Sequence, residues 1–391
     1  MRTRIVSAMR ATALGAAATS VTLAVVAPAS AAARPADPPR SGPETGTPIM
    51  PRLLMPATAY VVNNGSKTVT PVNTATNLAG KPIKVGSDPD PIVVTPNGAT
   101  VYVASEGADT ITPINTATKI AGKPIAVGPS PVAIAVTPNG KTVYVANQQN
   151  SGTVTPVSTA TSTAGKPIPV GSDPIAIAIT PNGATAYVVN LHSRTVTPIR
   201  TSTNTPGTPI KVGAEALTIA ITPNGKTVYV VNSRSNSVTP ISTATNKAGK
   251  AIPVGSNPFG IAITPDGKTA YVTNIASNSV SPISTATNTA GKAIPVGMFP
   301  FNIAITPNGS TAYVNAEGSN SVTAIRTATN TASKPIPVGE SPQALAVTPD
   351  GKAVYVVNGS SNTVTPIATA TNVAGKPIAV GTFPVSIAVA P

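Results

Sequence analysis

The chain of 391 residues has no cysteine and no tryptophan. The missing thiols exclude disulfide staples, thiolate metal sites and cysteine nucleophiles. There is a single histidine, His192, so no metal site can be built on several imidazoles. Aromatic residues make up 3% of the chain and charged residues 10%. Beyond the N-terminal 30 or so residues, no apolar run is long enough to cross a bilayer as a helix. No segment shows a convincing helical period. What is plentiful is proline (43) and glycine (31), so turns must be frequent. With 41% apolar residues and few rings, the core has to be built from Val, Ile and Ala.

The first residues, MRTRIVSAMR, carry three arginines. A short apolar stretch follows, and then the small residues of PASAAA. This order matches a secretory signal peptide over residues 1–31, cut after Ala31 or Ala33. The apolar run is short for a membrane anchor. Residues 32–56 are rich in Pro and polar groups and read as a flexible tether. From Ala57 onward the chain holds 16 Lys, four Arg, six Asp and four Glu, a net charge of +10.

All eight tyrosines share one register: Tyr60, Tyr102, Tyr144, Tyr187, Tyr229, Tyr271, Tyr313 and Tyr355. Their spacing is 42 residues, with one step of 43. A period in the forties marks a repeat architecture. Each unit holds four strand-like segments. Around Tyr229 these are LTIAIT (217–222), TVYVVN (227–232), SVTPIST (237–243) and AIPVG (251–255), labelled a to d. The turn PNGK joins a to b, and Asn-Gly supplies the positive φ a hairpin needs. Alternating β-branched residues and closely spaced turn signals indicate an all-β fold. Four antiparallel strands per unit form one blade of a β-propeller. Strand d, with Pro at alternating positions as in KPIPV, suits the outer rim, where it blocks pairing with another chain. A proline also sits in strand c of seven units (Pro71, Pro113, Pro156, Pro198, Pro240, Pro282, Pro366). Because strand c is interior, these positions predict a bulge or a break in pairing.

There are eight b, eight c and eight d strands. The first unit begins at ATAYVVN with no strand a before it, and the chain ends in PVSIAVAP, a strand a with nothing after it. The expectation is an eight-bladed ring over 57–391 in which 385–390 pairs beside 57–62 and completes the first blade.

Tyr271-Val272-Thr273-Asn274 and the YVVN or YVAN that begins at Tyr60, Tyr144, Tyr187, Tyr229 and Tyr355 resemble the YVTN β-propeller repeat family. The preceding Thr-Pro-Asn/Asp-Gly turn fits as well, and the resemblance covers 57–391. It implies a propeller of the extracellular or surface-layer kind. The chain departs from the family where strand c reads T-P-I in place of V-x-V-I-D, so that Asp is missing. The units of Tyr102 and Tyr313 have drifted, continuing into Ala-Ser and Asn-Ala.

The a–b and c–d turns are nearly constant between units, whereas the b–c loops and d–a connections vary. In an up-and-down blade the two variable classes emerge on one face, where binding residues usually sit. That face is expected to gather Phe259, Met298, Phe299, Phe301 and Phe383 into an apolar patch. Acidic Asp88, Asp90, Glu106 and Asp109 would lie across the ring, with His192, Arg194 and Arg234 in b–c loops. The tyrosines read as packing between blades. A second candidate is the lysine that opens strand d: Lys81, Lys123, Lys166, Lys250, Lys292, Lys334 and Lys376. The period places these as a ring near the rim of the opposite face, where they would attract polyanions such as cell-wall teichoic acids. Stacking aromatics are not interleaved with them, which argues against specific nucleic-acid recognition.

No catalytic constellation stands out. A Ser-His-acid triad would have to use His192, and no Gly-x-Ser-x-Gly elbow precedes it. The four carboxylates lack a metal-binding spacing. The sequence therefore points to a secreted, monomeric, non-catalytic binding or scaffold module at the cell envelope. It would use neither cofactor nor metal, and its partner would be a cell-wall polyanion or another surface protein. The alternative is a hydrolase or lyase that uses the acidic residues at the channel mouth.

Overall fold

A computed structural model describes residues 57–391; the expected signal peptide and tether lie outside the described residues. The chain forms eight antiparallel sheets. Blade 1 comprises residues 58–84 with 384–390, and blades 2 to 8 run over 89–126, 131–169, 174–211, 216–253, 258–295, 300–337 and 342–379. Blade 5 shows the pattern, with strand a Ala216–Ile221, b Thr227–Asn232, c Ser237–Ser242, and d in two pieces, Lys247–Ala248 and Ile252–Pro253. Among the described residues no helix is long and apolar enough to cross a membrane.

The ring closes as the sequence predicts. Strand Pro384–Ala390 pairs antiparallel with Thr58–Asn63, Thr58 opposite Ala390 and Val61 opposite Ile387. The last segment of the chain is therefore strand a of blade 1.

The core lies between blades. Each apolar layer is built from the facing sides of two neighbours, as where Tyr60, Val62 and Val69 of blade 1 meet Ile92, Val101 and Val103 of blade 2. Each fully buried Val or Ile contributes on the order of 1.5–3 kcal/mol. The tyrosines fill these layers and are all buried. Their hydroxyls are also used. Tyr187 donates to Asn246 Oδ1 at 2.7 Å, Tyr229 to Asn288 at 2.6 Å and Tyr271 to Asn330 at 2.6 Å. Each acceptor is the left-handed residue of the c–d turn one blade further on, with φ near +54°. A buried phenol usually finds such a partner. Blade 2 carries Lys119 at the turn position, and there the polarity reverses. The Lys119 ammonium donates to the Tyr60 oxygen at 2.9 Å and to Thr58 Oγ1 at 3.1 Å.

The strand-c prolines mark a break in pairing, as expected, but on one side only. The b–c ladder runs through them unbroken, with Tyr60 opposite Pro71 and Tyr229 opposite Pro240. The break falls on the other side, in the pairing of strand c with strand d. In blade 1 its first piece pairs with Val72 and Asn73, and its second with Thr68 and Val69. Pro71, between them, points its nitrogen toward the gap. Its carbonyl accepts from Gly80 N at 2.7 Å on the same side. The missing N–H thus falls where strand d has already left the sheet. Strand d does not run as a continuous KPIPV strand, because only Ile-Pro pairs in that stretch of blade 3. The bulges of each blade lie between a and b, just after the residue that opens strand a.

In the a–b turns, Gly carries the positive φ, as at Gly225 (φ 69°). The preceding Asn is an acceptor: Asn224 Oδ1 takes Thr222 Oγ1 at 2.7 Å and Lys226 N at 3.0 Å. Asp266 and Asp350 do the same work.

Candidate functional site

The two variable segments of each blade meet on one face. The first residue of every b–c loop donates its N–H to the d–a connection of its own blade, as Leu191 does to Asp173 O at 2.9 Å and Ile275 to Asn257 O at 2.9 Å. The constant turns meet on the other face, where Thr116 N donates to Ala99 O. This face is called the variable face below, and the other the constant face.

Consecutive d–a connections are tied through the residue that ends the b–c loop, which is left-handed in most blades. Asn236 Oδ1 accepts Asn257 N at 2.8 Å, Asn278 accepts Phe299 N at 2.9 Å and Asn362 accepts Phe383 N at 2.7 Å. Asp109 is the same device, its Oδ1 accepting Ser130 N at 2.9 Å. Its carboxylate does what asparagine does in other blades. Lys67 and Arg194 occupy this position in blades 1 and 4 and have no acceptor to offer.

The remaining acidic candidates are also engaged. Glu106 opens a short 3-10 turn, Glu106–Ala108, and its Oε1 accepts from Ser130 Oγ of the next blade at 2.9 Å. Burial pushes the Glu106 carboxyl up; the Ser130 hydroxyl pulls it back, and Asp88 and Asp109 raise it further. Asp88 is exposed, with φ of 49°. Its carbonyl accepts Glu106 N at 3.0 Å. Asp90 is buried near the start of strand a, and its carbonyl accepts the Ser386 hydroxyl. Blade 7 repeats the arrangement: Glu317 opens a second 3-10 turn and accepts from Ser341 Oγ at 2.7 Å and Gln343 Nε2 at 3.0 Å. These two turns occur where strand b ends in Ser105 or Ala316. The six other blades end in Asn, whose amide caps the loop, as Asn190 Nδ2 does with Thr197 Oγ1 at 2.9 Å. His192 is exposed, with Nδ1 against the Asp173 carboxylate. Arg194 and Arg234 are exposed on neighbouring blades.

The phenylalanines divide. Phe259, Phe299 and Phe301 gather with Leu191, Leu217, Ile275 and Ile175 into one apolar cluster across blades 4 to 7. The rings of Phe259 and Phe301 meet edge to face, with centroids 5.1 Å apart. Phe299 lies over Gly318, where an added Cβ would come within 2.4 Å of its ring. Met298 stands beside it, 50% exposed. Phe383 does not join this cluster; it packs instead against the layer between blades 1 and 2. Both Phe299 (φ 53°) and Phe383 (φ 49°) are left-handed, in a position that holds Asp, Glu, Ser or Asn in the other blades. That conformation is rare for a bulky residue.

Leu191, Leu217 and Ile275 were not singled out from the sequence. A signal existed, because Leu191 and Ile275 are the only large aliphatic residues at the first b–c loop position, where the other blades have Asn, Glu, Gln, Ser or Gly.

The seven lysines are all exposed. They sit in the gap between the two pieces of strand d, so the ring runs at mid-height around the outer edge and not along the rim of the constant face. Among the described residues no group of three or more His, Cys, Asp or Glu is placed to hold a metal ion.

No family model matches the chain, and no curated protein matches it. Solved structures do. The hydrazine synthase of Kuenenia stuttgartiensis is 26% identical over 73% of this chain and 97% of that one, with a TM-score of 0.60. The dihydro-heme d1 dehydrogenase NirN, in complex with DHE, is 15% identical over 88% of this chain and 77% of its own, with a TM-score of 0.72. A protein of unknown function from Desulfotomaculum acetoxidans is 18% identical over 85% and 98%, with a TM-score of 0.60. At these identities the last two likenesses concern the fold alone.

Proposed function

We propose that this chain is a secreted propeller of the YVTN-repeat kind, acting as a non-catalytic binding or scaffold module at the cell envelope. Its ligand meets the variable face. The observation that carries this reading is the apolar cluster built from the loops and strand-a starts of four consecutive blades, in which Leu191, Leu217, Phe259 and Ile275 form a buried base under the half-buried Phe299 and Phe301. A rigid ring that gathers its few large apolar side chains at one mouth has the form of a binding surface. The roles of the acidic groups support it too. Asp109 and Glu106 are spent on joining blades, and Asp109 is interchangeable in role with asparagine.

The test is retention on purified cell envelope by the wild type and by a Phe299→Ala/Phe301→Ala variant. Retention that persists in high salt and is lost in the variant supports this reading. Retention lost in salt and unaffected by the variant points to the lysine ring instead.

A second reading, hydrolysis or elimination at the channel mouth, draws on the raised pKa of Glu106, a trait of general acids. It requires a turnover that Glu106→Gln abolishes while Asp109→Asn leaves the fold intact.

A further inference from the structure

The disk is electrically lopsided. Eight of the ten carboxylates from Ala57 onward lie in the b–c loops, the d–a connections or the start of strand a, all on the variable face. Three cations, Lys67, Arg194 and Arg234, share those loops, and Lys84 and Lys211 end strand d at the same face, five in all. The constant face carries Lys141, Lys226, Lys268, Lys352, Arg200 and Arg326 in its turns and strand ends. Its two carboxylates among the described residues, Asp266 and Asp350, sit 3.6 and 3.8 Å from Lys268 and Lys352. The lysine ring, at mid-height on the outer edge, favours neither face.

A second feature falls on the same face. Leu78, Ile120 and Val373 are 67%, 65% and 62% exposed. All three are the residue that opens strand d, at its constant-face end, paired with the last residue of strand c. They belong to three consecutive blades, 8, 1 and 2. The other five blades place Thr163, Thr205, Lys247, Thr289 and Thr331 there. Scattered exposed aliphatics need no explanation, but the same register position on an unbroken arc does.

A third feature points the same way. Residues 1–56 join the disk at Ala57, whose carbonyl is held by Thr74 N (3.0 Å) and Thr74 Oγ1 (2.6 Å) in the c–d turn of blade 1. Leu78 follows four positions later. The chain outside the ring therefore enters at the middle of the apolar arc.

We infer that the constant face docks on an anionic phospholipid surface, tipped so that Leu78, Ile120 and Val373 enter its headgroup layer. Lysines and arginines near such a surface are attracted to its phosphates, and aliphatic side chains add depth that a purely electrostatic contact lacks. A soluble polyanion would use the cations and leave the aliphatics without a role. A second copy of the chain would bring two basic faces together. The acidic variable face is repelled by the same surface, so it points outward with its apolar mouth free.

The absence of cysteine makes the orientation measurable. Leu78→Cys, Thr289→Cys and Arg234→Cys are prepared in the full-length chain, each carrying an environment-sensitive fluorophore. They are mixed with vesicles of phosphatidylglycerol and phosphatidylcholine, with phosphatidylcholine vesicles alone, and with inorganic polyphosphate. We expect a blue shift and quenching by spin-labelled lipid at position 78 on the mixed vesicles, a weak response at 289 and none at 234. A Leu78→Ser/Ile120→Ser/Val373→Ser variant should lose vesicle affinity roughly ten-fold or more, with an unchanged urea midpoint. The inference is overturned if the bound chain leaves position 78 in water, as binding through residues 1–56 alone would. It is overturned equally if position 234 responds as strongly, if the serine variant binds like the wild type, or if the mixed vesicles are not bound. A response to polyphosphate without one to vesicles would replace the lipid surface with a soluble phosphate polymer.

Discussion

Tyr355 of blade 8 donates its phenol hydrogen to Asn77 Oδ1 of blade 1, 2.5 Å away. The same hydroxyl lies 3.1 Å from Thr74 O. The phenol–asparagine bond that joins six of the tyrosines to the next blade's turn thus also spans the seam where the chain's two ends meet. Tyr355→Phe removes it while keeping the ring's volume. We expect a loss of about 1 kcal/mol, read as a lower urea midpoint with an unchanged slope. Asn77→Ala should lose a similar amount, and the double variant should lose less than the sum. Full additivity would show that the two side chains do not act through each other.

The phenols make the ring sensitive to alkali. Burial raises Tyr60, Tyr187, Tyr229, Tyr271 and Tyr355 to about 12 from an ordinary value of 10. The folded state holds the proton more tightly than the unfolded chain does. The resulting stabilisation is fully present below pH 10 and is lost as pH rises through 12. Unfolding followed by circular dichroism should therefore fall between pH 10 and 12, with phenolate absorbance rising in the same transition. Phenolate appearing near pH 10 in a still-folded ring would show that the hydroxyls are accessible to base.

Strand 384–390 is the one element supplied from the far end of the chain. Its Val385 and Ile387 are buried, each worth about 1.5–3 kcal/mol, before counting the ladder to Thr58–Asn63. Against a typical total of about 5–15 kcal/mol, deleting 384–391 should abolish cooperative melting near the wild-type temperature. Calorimetry showing an unchanged transition would sink the closure.

Lys67 and Arg194 hold a left-handed turn position (φ 56° and 51°) where other blades use Asn. Lys67→Asn and Arg194→Asn each add a residue suited to that conformation and an acceptor for the following connection's N–H. We expect each to raise stability by about 1 kcal/mol, measured in urea. A decrease would mean that the cation makes a contact worth more than the turn.

The architecture was legible because it repeats. A 42-residue register of tyrosines, a turn of fixed spelling and a spare final strand specify blade, number and closure together. The fate of Pro71 and its equivalents was harder to read, since a missing N–H does not say which neighbouring strand will give way. Strand d gave way, because the split outer strand leaves the tyrosine-bearing b–c ladder whole. The site was less legible still. Asp109 and Glu106 look like free carboxylates in sequence, yet their partner, Ser130, lies more than twenty residues on in the next blade. Phe383 belongs by spacing with Phe299, but the ring carries it two blades away, onto the layer between blades 1 and 2. Leu191 and Ile275 were hidden because each lies alone among polar loop residues, and only the curvature of the ring makes them neighbours.

Pairing Thr58 with Ala390 sets the two ends of the propeller side by side, at the place where every other blade has its Thr-Pro-Asn-Gly or Thr-Pro-Asp-Gly turn. Blade 1 differs from its neighbours by a gap of one turn and by the Thr58–Ala390 pair that takes its place in the ladder. Supplying that turn between Pro391 and Ala57, and opening the chain at any other constant corner, would leave all eight sheets as they are. The molecule has no intrinsic first blade, and where its sequence starts is a property of the chain's numbering that the folded circle does not remember.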